Sequence, residues 1–163
     1  MSNPVTTKIV WQAIEKELFA VLGMVTSKGE ARTVGIVYLV QGRKFYIGTG
    51  LKTWKARHIA ANPAVSMTIP IARRVPIAPW VRIPQATITF SGTARIIPGV
   101  EAPRDLLQLV FRHKADDEVF MKDTCLIEVT PQGDFLTYGI GIPLIKMREP
   151  ELARGRAPVS IED

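Results

Sequence analysis

The sequence predicts a mainly β protein, a single β-barrel decorated by two or three short helices. Three observations carry this. Apolar residues cluster in stretches of strand length, such as Leu18–Thr26 and Ala64–Ile69. Turn signals separate them, Ser27-Lys-Gly-Glu30 and Gln41-Gly42-Arg43 among them. Only a few segments show helical spacing, none long. About seven strands on this count suit a barrel.

Taken in order, residues 7–17 carry Ile9, Val10, Ala13 and Ile14 at helical spacing, with Glu15-Lys16-Glu17 as the polar side. Leu18 to Thr26 reads as a fully buried strand, and the chain resumes after the turn as a second strand over 31–40. Lys44 to Thr49 is the third, so two consecutive tight turns predict an antiparallel meander. A helix follows at about 53–61 and stops at Asn62-Pro63. After the fourth strand come Pro70, Pro76, Pro79 and Pro84, a density that forbids a central strand. Residues 70–84 are therefore expected to form an ordered excursion.

Gln85 to Ile97 alternates cleanly. Ala86, Ile88, Phe90, Gly92, Ala94 and Ile96 face one way, and Thr87, Thr89, Ser91, Thr93 and Arg95 the other. Pro103 to about Lys114 is a helix with an apolar stripe of Leu106, Leu107, Leu109, Val110 and Phe111. Thr124 to Thr130, Pro131-Gln-Gly-Asp134 and Phe135 to Ile140 read as a last hairpin. Residues 143–163 are a proline- and arginine-rich tail. No repeat or linker divides the chain, so residues 1–163 are expected to form one domain.

Bulk properties narrow the function classes. Hydrophobic residues at 47% and charged residues at 22% belong to a folded globular protein, not a disordered one. No apolar run reaches the length of a membrane span, and the Met-Ser-Asn-Pro start lacks a secretory pattern. The expectation is a soluble, cytoplasmic protein with no membrane partner. Cys125 stands alone, so no intrachain disulfide forms, and its apolar neighbours make it a core thiol. His58, His113 and one cysteine do not make a metal site. Walker, dinucleotide and Gly-x-Ser-x-Gly signatures are absent. The net charge of +6 favours an anionic partner. Sparse aromatics, without interleaved basic residues, argue against nucleic acid.

The chemistry-bearing segment is Lys44 to Pro63. Lys52, Lys55, Arg57 and His58 crowd the start of a helix, the end where the macrodipole disfavours cations. Thr49 and Thr53 flank the turn, and Thr53 suits an N-cap. A phosphate placed there would satisfy unpaired N–H groups and neutralise the cations together. A solvated basic helix face is the bland alternative. No side chain stands out as a general acid or base. Tyr38, Tyr138 and His58 are candidates, each more often structural.

The chain resembles the pyridoxamine 5′-phosphate oxidase-like family of FMN-binding split β-barrels over roughly residues 10–140. The resemblance rests on Leu18–Thr26 with its turn and Ala31-Arg-Thr-Val34, on Phe45-Tyr-Ile-Gly-Thr49 with Thr49, Thr53 and Lys55 spaced as Thr-x-x-x-Thr-x-Lys, and on Phe90-Ser-Gly-Thr-Ala-Arg95. It implies that Thr53 and Lys55 hold the FMN phosphate, with Lys52 beside them, and that Arg32 reaches it. It implies that the main chain from Thr33 through Val34, Gly35 and Ile36 to Val37 lines the ring, bordered by Thr49 and Gly50. It further implies a homodimer with flavin at the interface, so that Trp80 and Arg82 become candidates for a wall contributed by either subunit. The implied function is an FMN-dependent oxidoreductase acting on a small-molecule substrate. The tail from Met147 to Arg156 does not match the segment by which the true oxidase recognises its substrate phosphate, so vitamin B6 oxidation is not expected. A deazaflavin coenzyme is the alternative, its longer acidic tail suiting Lys52, Arg57, Arg73 and Arg74. A non-catalytic flavin carrier or sensor is a third reading.

Overall fold

A computed structural model describes residues 5–160. In chain order the elements are α1 (Thr7–Ile14), β1 (Phe19–Val25), β2 (Ala31–Val37), β3 (Leu39–Gln41), β4 (Lys44–Gly50), α2 (Trp54–Ala61), β5 (Ala64–Ile71), β6 (Ala86–Pro98), α3 (Arg104–Phe111), α4 (Glu118–Lys122), β7 (Thr124–Tyr138), α5 (Pro150–Ala153) and β8 (Arg154–Pro158). Short 3-10 turns occupy Arg112–Asp116 and Leu144–Lys146. No helix among the described residues is long and apolar enough to cross a membrane.

All strands join one sheet in the order β2-β1-β5-β6-β7-β4-β3, with β8 added to β7. Every pairing is antiparallel. The edge strands β2 and β3 lie at opposite ends of this order, yet Tyr38 alone separates them in the chain. The sheet must therefore curl until its two edges nearly meet, which makes it a split barrel. Tyr38 fixes that corner. Its N–H donates to Leu18 O at 3.0 Å and its buried hydroxyl donates to Ile14 O at 2.8 Å.

The barrel interior is filled by alternate residues of each strand. Ala86, Ile88, Phe90 and Ala94 on β6 are buried, as the period-two pattern requires. At its centre Phe90 stacks on Phe45 at 4.9 Å and meets Phe135 edge-on at 5.5 Å. Trp11 of α1 stacks on Phe45 at 5.7 Å and donates its indole N–H to Val159 O at 3.1 Å. Each such ring contributes about 1.5–3 kcal/mol through burial. A smaller cluster of Leu106, Leu107, Met121 and Leu126 seats α3 and α4 on β7.

The structure corrects several expectations. The expected strand over 31–40 is two strands, because the chain turns from one edge of the sheet to the other at Tyr38. The meander is thus a pair of hairpins on opposite edges. β1 alternates between buried and half-exposed residues and is not buried on both faces. The last hairpin does not form, since β7 runs unbroken from Thr124 to Tyr138. Thr89 pairs with Leu136 and Ser91 with Gln132, so the Pro131–Asp134 stretch is absorbed as a bulge. Gly133, at φ +71, allows it. Along one edge of β7, β4 pairs with the first half and β8 with the second. The tail therefore holds structure that its composition hid. The helix expected over 7–17 ends at Ile14, and the one expected at 103–114 ends at Phe111.

Candidate functional site

The turn between β4 and α2 is built as an N-terminal cap. Thr53 has extended backbone (φ −69, ψ 150) and starts α2. Its hydroxyl donates to Gly50 O at 2.8 Å and accepts from Ala56 N at 3.4 Å. Thr49 Oγ1 stands 3.4 Å from Thr53 Oγ1. Asp123 O accepts from Leu51 N at 2.9 Å and anchors the turn to the loop before β7. In the first turn of α2, the N–H groups of Trp54 and Lys55 have no intrahelical acceptor, and no acidic residue is present.

Three cations surround this turn. Lys52 makes a loose, exposed pair with Asp123 at 3.8 Å, a contact of little energetic weight. Lys55 is half-buried and lies close to Cys125. Burial pushes the Cys125 thiol up, and the Lys55 charge pulls the other way. Neither Lys55 nor Arg57 forms an ion pair among the described residues. Lys55 and Arg57 thus lie at a helix start whose first N–H groups are open, the kind of arrangement that attracts anions.

A seam leads away from the turn. β3 pairs with β4 in the register Leu39↔Tyr46. Beyond Tyr38 the pairing stops, and β2 and β4 form no ladder. The barrel is split there. A groove of about 340 Å³ opens at the Tyr38 end, lined by Leu18, Val37, Tyr46, Gly48, Val110 and Phe111, among others. Gly48 lets α3 approach, because a Cβ would stand 2.7 Å from both Val110 Cγ1 and Phe111 Cε1.

The expected ring-lining strand divides between two faces. Ile36 is buried in the core and Val34 packs against it, so only their main chain is available to a ligand. Thr33, Gly35 and Val37 face outward. Arg32 lies five residues before Val37, roughly 16 Å along the strand. Its guanidinium donates to Glu30 Oε2 at 2.8 Å and to Ala31 O at 3.3 Å. Arg32 and Thr33 border a shallow outer hollow with Ser66, Ser91, Thr93 and Gln132. The structure thus joins Thr49, Gly50 and Thr53 directly. Arg32 has no hydrogen bond to them. Trp80 and Arg82 stand apart on the proline-rich excursion, where Arg82 O accepts from Arg148 Nη2 at 3.1 Å.

The general acid–base candidates have structural roles. Tyr38 caps α1, the Tyr138 hydroxyl donates to Met147 O, and His58 meets Trp54 edge-on at 5.6 Å. No group of metal-ligating side chains occurs among the described residues. Sequence reasoning missed one cluster. Glu128 on β7 is 5% exposed and accepts from Arg95 at 2.7 and 3.2 Å, from Lys44 at 3.2 Å and from the Tyr46 hydroxyl at 2.9 Å. The Arg95 hydrogen bond chiefly holds its carboxyl down at about 2. Burial, then the bond to Glu128, pushes the Tyr46 phenol up to about 12. The only sequence signal is an acid in the middle of the apolar run Thr124–Thr130.

The family profile described as Pyridoxamine 5′-phosphate oxidase matches residues 7–133. No curated protein matches the chain. Among solved structures, an F420 reductase is 22% identical, with a TM-score of 0.53 over 76% of this chain and 93% of its own. General Stress Protein 26 of Bacillus anthracis is 16% identical, with a TM-score of 0.58 over 81% and 91%. The heme storage protein HutZ of Vibrio cholerae is 14% identical, with a TM-score of 0.62 over 84% and 98%. At these identities the likeness is one of fold.

Proposed function

Because the chain belongs to the pyridoxamine 5′-phosphate oxidase family, we propose that it binds FMN along the split between β2 and β4 and serves as an oxidoreductase for a small-molecule substrate. The observation that carries this reading is the head of α2. There, half-buried Lys55, with no ion pair among the described residues, stands beside N–H donors that no carbonyl of α2 satisfies.

The residues present fit the group. Thr53, Lys55 and the N–H groups of Trp54 and Lys55 would hold its phosphate, with Lys52 and Arg32 adding charge. The main chain from Thr33 to Val37, with Thr49 and Gly50, would border the ring. The apolar groove at Val37 and Gly48 supplies a dry end. Bound flavin would supply the redox chemistry, and the protein binding, orientation and exclusion of water.

A homodimer belongs to this reading. Leu18, Phe19, Val37 and Leu109 are exposed at or near the groove mouth, an apolar surface that a second copy would cover. Light scattering giving a mass near 18.1 kDa would contradict it. A deazaflavin coenzyme is the second reading, favoured by the F420 reductase of similar fold and by Arg57, Arg73 and Arg74, which form no ion pairs among the described residues. The absorbance of the isolated protein, with the mass of any released cofactor, separates the two. Failure of the apo-protein to bind either at high micromolar concentration would end both.

A further inference from the structure

The three most exposed large apolar side chains among the described residues are Ile77 at 91%, Ile145 at 84% and Trp80 at 77%. All three lie on two neighbouring loops, residues 72–85 and 143–149. The loops are tied together by the bond from Arg148 Nη2 to Arg82 O. Arg73 Nη2 donates to Gly139 O at 3.4 Å and ties the first loop to the end of β7. Ile83 and Leu144 pack against the core, and Met147 is fully buried within it. The loop bases are therefore fixed while the apolar tips project. Two consecutive turns, Ala78 N to Val75 O at 3.2 Å and Val81 N to Ala78 O at 2.9 Å, hold the first tip in shape.

The charge around these tips is one-sided. Residues 70–85 contain no acid, and the two loops together set Arg73, Arg74, Arg82, Lys146 and Arg148 against Glu149 alone. That is most of the chain's +6. None of the five cations forms an ion pair among the described residues.

We propose that these two loops dock the protein peripherally on an anionic lipid surface. Trp80, Ile77 and Ile145 would enter the headgroup boundary, and Arg74, Arg82, Lys146 and Arg148 would meet lipid phosphates, Arg73 being turned inward. Trp is the side chain best suited to that boundary, with an apolar body and a polar N–H. Long cationic side chains lay their stems along it while the charge stays wet. A negative surface attracts such a cluster over about a Debye length. A two-fold contact of this patch with a second copy is disfavoured, because it would bring five cations onto five. The sequence-level expectation of no membrane partner rested on the lack of a spanning segment, which a peripheral contact does not need.

The test uses the intact protein with vesicles of pure phosphatidylcholine and of phosphatidylcholine mixed with phosphatidylglycerol. The protein is expected to sediment with the mixed vesicles only and to be released by high salt. The triple variant Ile77→Ser/Trp80→Ser/Ile145→Ser should bind them roughly tenfold more weakly or worse, as should Arg74→Gln/Arg82→Gln/Lys146→Gln. Unchanged vesicle binding in the first variant would overturn the proposal, since cations alone would then explain it. Absence of wild-type binding to the mixed vesicles would overturn it too. If Trp80→Ala weakens FMN binding and leaves vesicle binding intact, the loop is a flavin wall and the proposal falls.

Discussion

Arg95 Nε donates to Glu128 Oε1 at 2.7 Å while its Nη2 donates to Oε2 at 3.2 Å, a two-pronged contact that ties β6 to β7. Lys44 and Tyr46 bring β4 into the same contact. Glu128 therefore titrates at about 2 in the folded protein, below the ordinary glutamate range. A carboxylate depressed on folding stabilises at pH values above its unfolded pKa, and the stability drains as pH falls through the folded one. The window runs from about 4.5 down to about 2. Arg95 is largely exposed, which trims the effect by screening to about 1–3 kcal/mol. Glu128→Gln should lose that much in urea unfolding at pH 7 and show a shallower fall in acid. An unaltered acid slope would mean the cluster carries no linkage.

Tyr38→Phe tests the corner where the barrel's two edges meet. The hydroxyl is buried and donates to Ile14 O at 2.8 Å, so its loss leaves a carbonyl at the end of α1 without that donor. The expected cost is about 1–2 kcal/mol. Burial pushes this phenol far above its usual 10, so this group should leave stability unchanged from pH 7 to about 9 and lower it as pH rises through 10, where the unfolded phenol ionises. A melt within error of wild type would show that the Glu17 N–H, which also donates to Ile14 O at 3.2 Å, suffices for that carbonyl.

The strands and the phosphate turn were legible because they are local. Period-two alternation over Ala86–Ile97 and the Thr53 cap before Trp54 depend on residues a few positions apart. What escaped depends on pairing across the chain. Pro131-Gln-Gly-Asp134 has the composition of a turn, and only β6 and β8 on either side make it a bulge within a longer strand. Arg154–Pro158 has weak strand propensity and is a strand because the second half of β7 offers it an open edge. The partners of Glu128 come from positions 44, 46 and 95, a constellation that no spacing rule reaches.

Gly48 and Gly133 separate steric need from backbone need. Gly48→Val places carbon against Val110 and Phe111, where even a Cβ would stand at 2.7 Å. α3 must shift, at about 1–3 kcal/mol, and the groove beneath it should narrow. Gly133→Ala meets nothing within 4 Å but sits at φ +71, so its cost is strain alone, about 1–2 kcal/mol. FMN titration distinguishes them. Gly48→Val should weaken ring binding, and Gly133→Ala should not. Equal affinities in both would place the ring outside the groove.

Lys55→Ala addresses the phosphate. Lys55 is half-buried at the head of α2, with no ion pair among the described residues. Removing it should weaken FMN binding by about 1.5–3 kcal/mol, the scale of a charge-assisted hydrogen bond. Riboflavin lacks the phosphate, and its affinity should stay within error of wild type. The fold should survive. The macrodipole disfavours a cation at this end, so the apo-protein should gain a few tenths of a kcal/mol in a urea melt. Equal losses for FMN and riboflavin would mean that Lys55 supports the ring or the fold, and the phosphate would have to sit elsewhere.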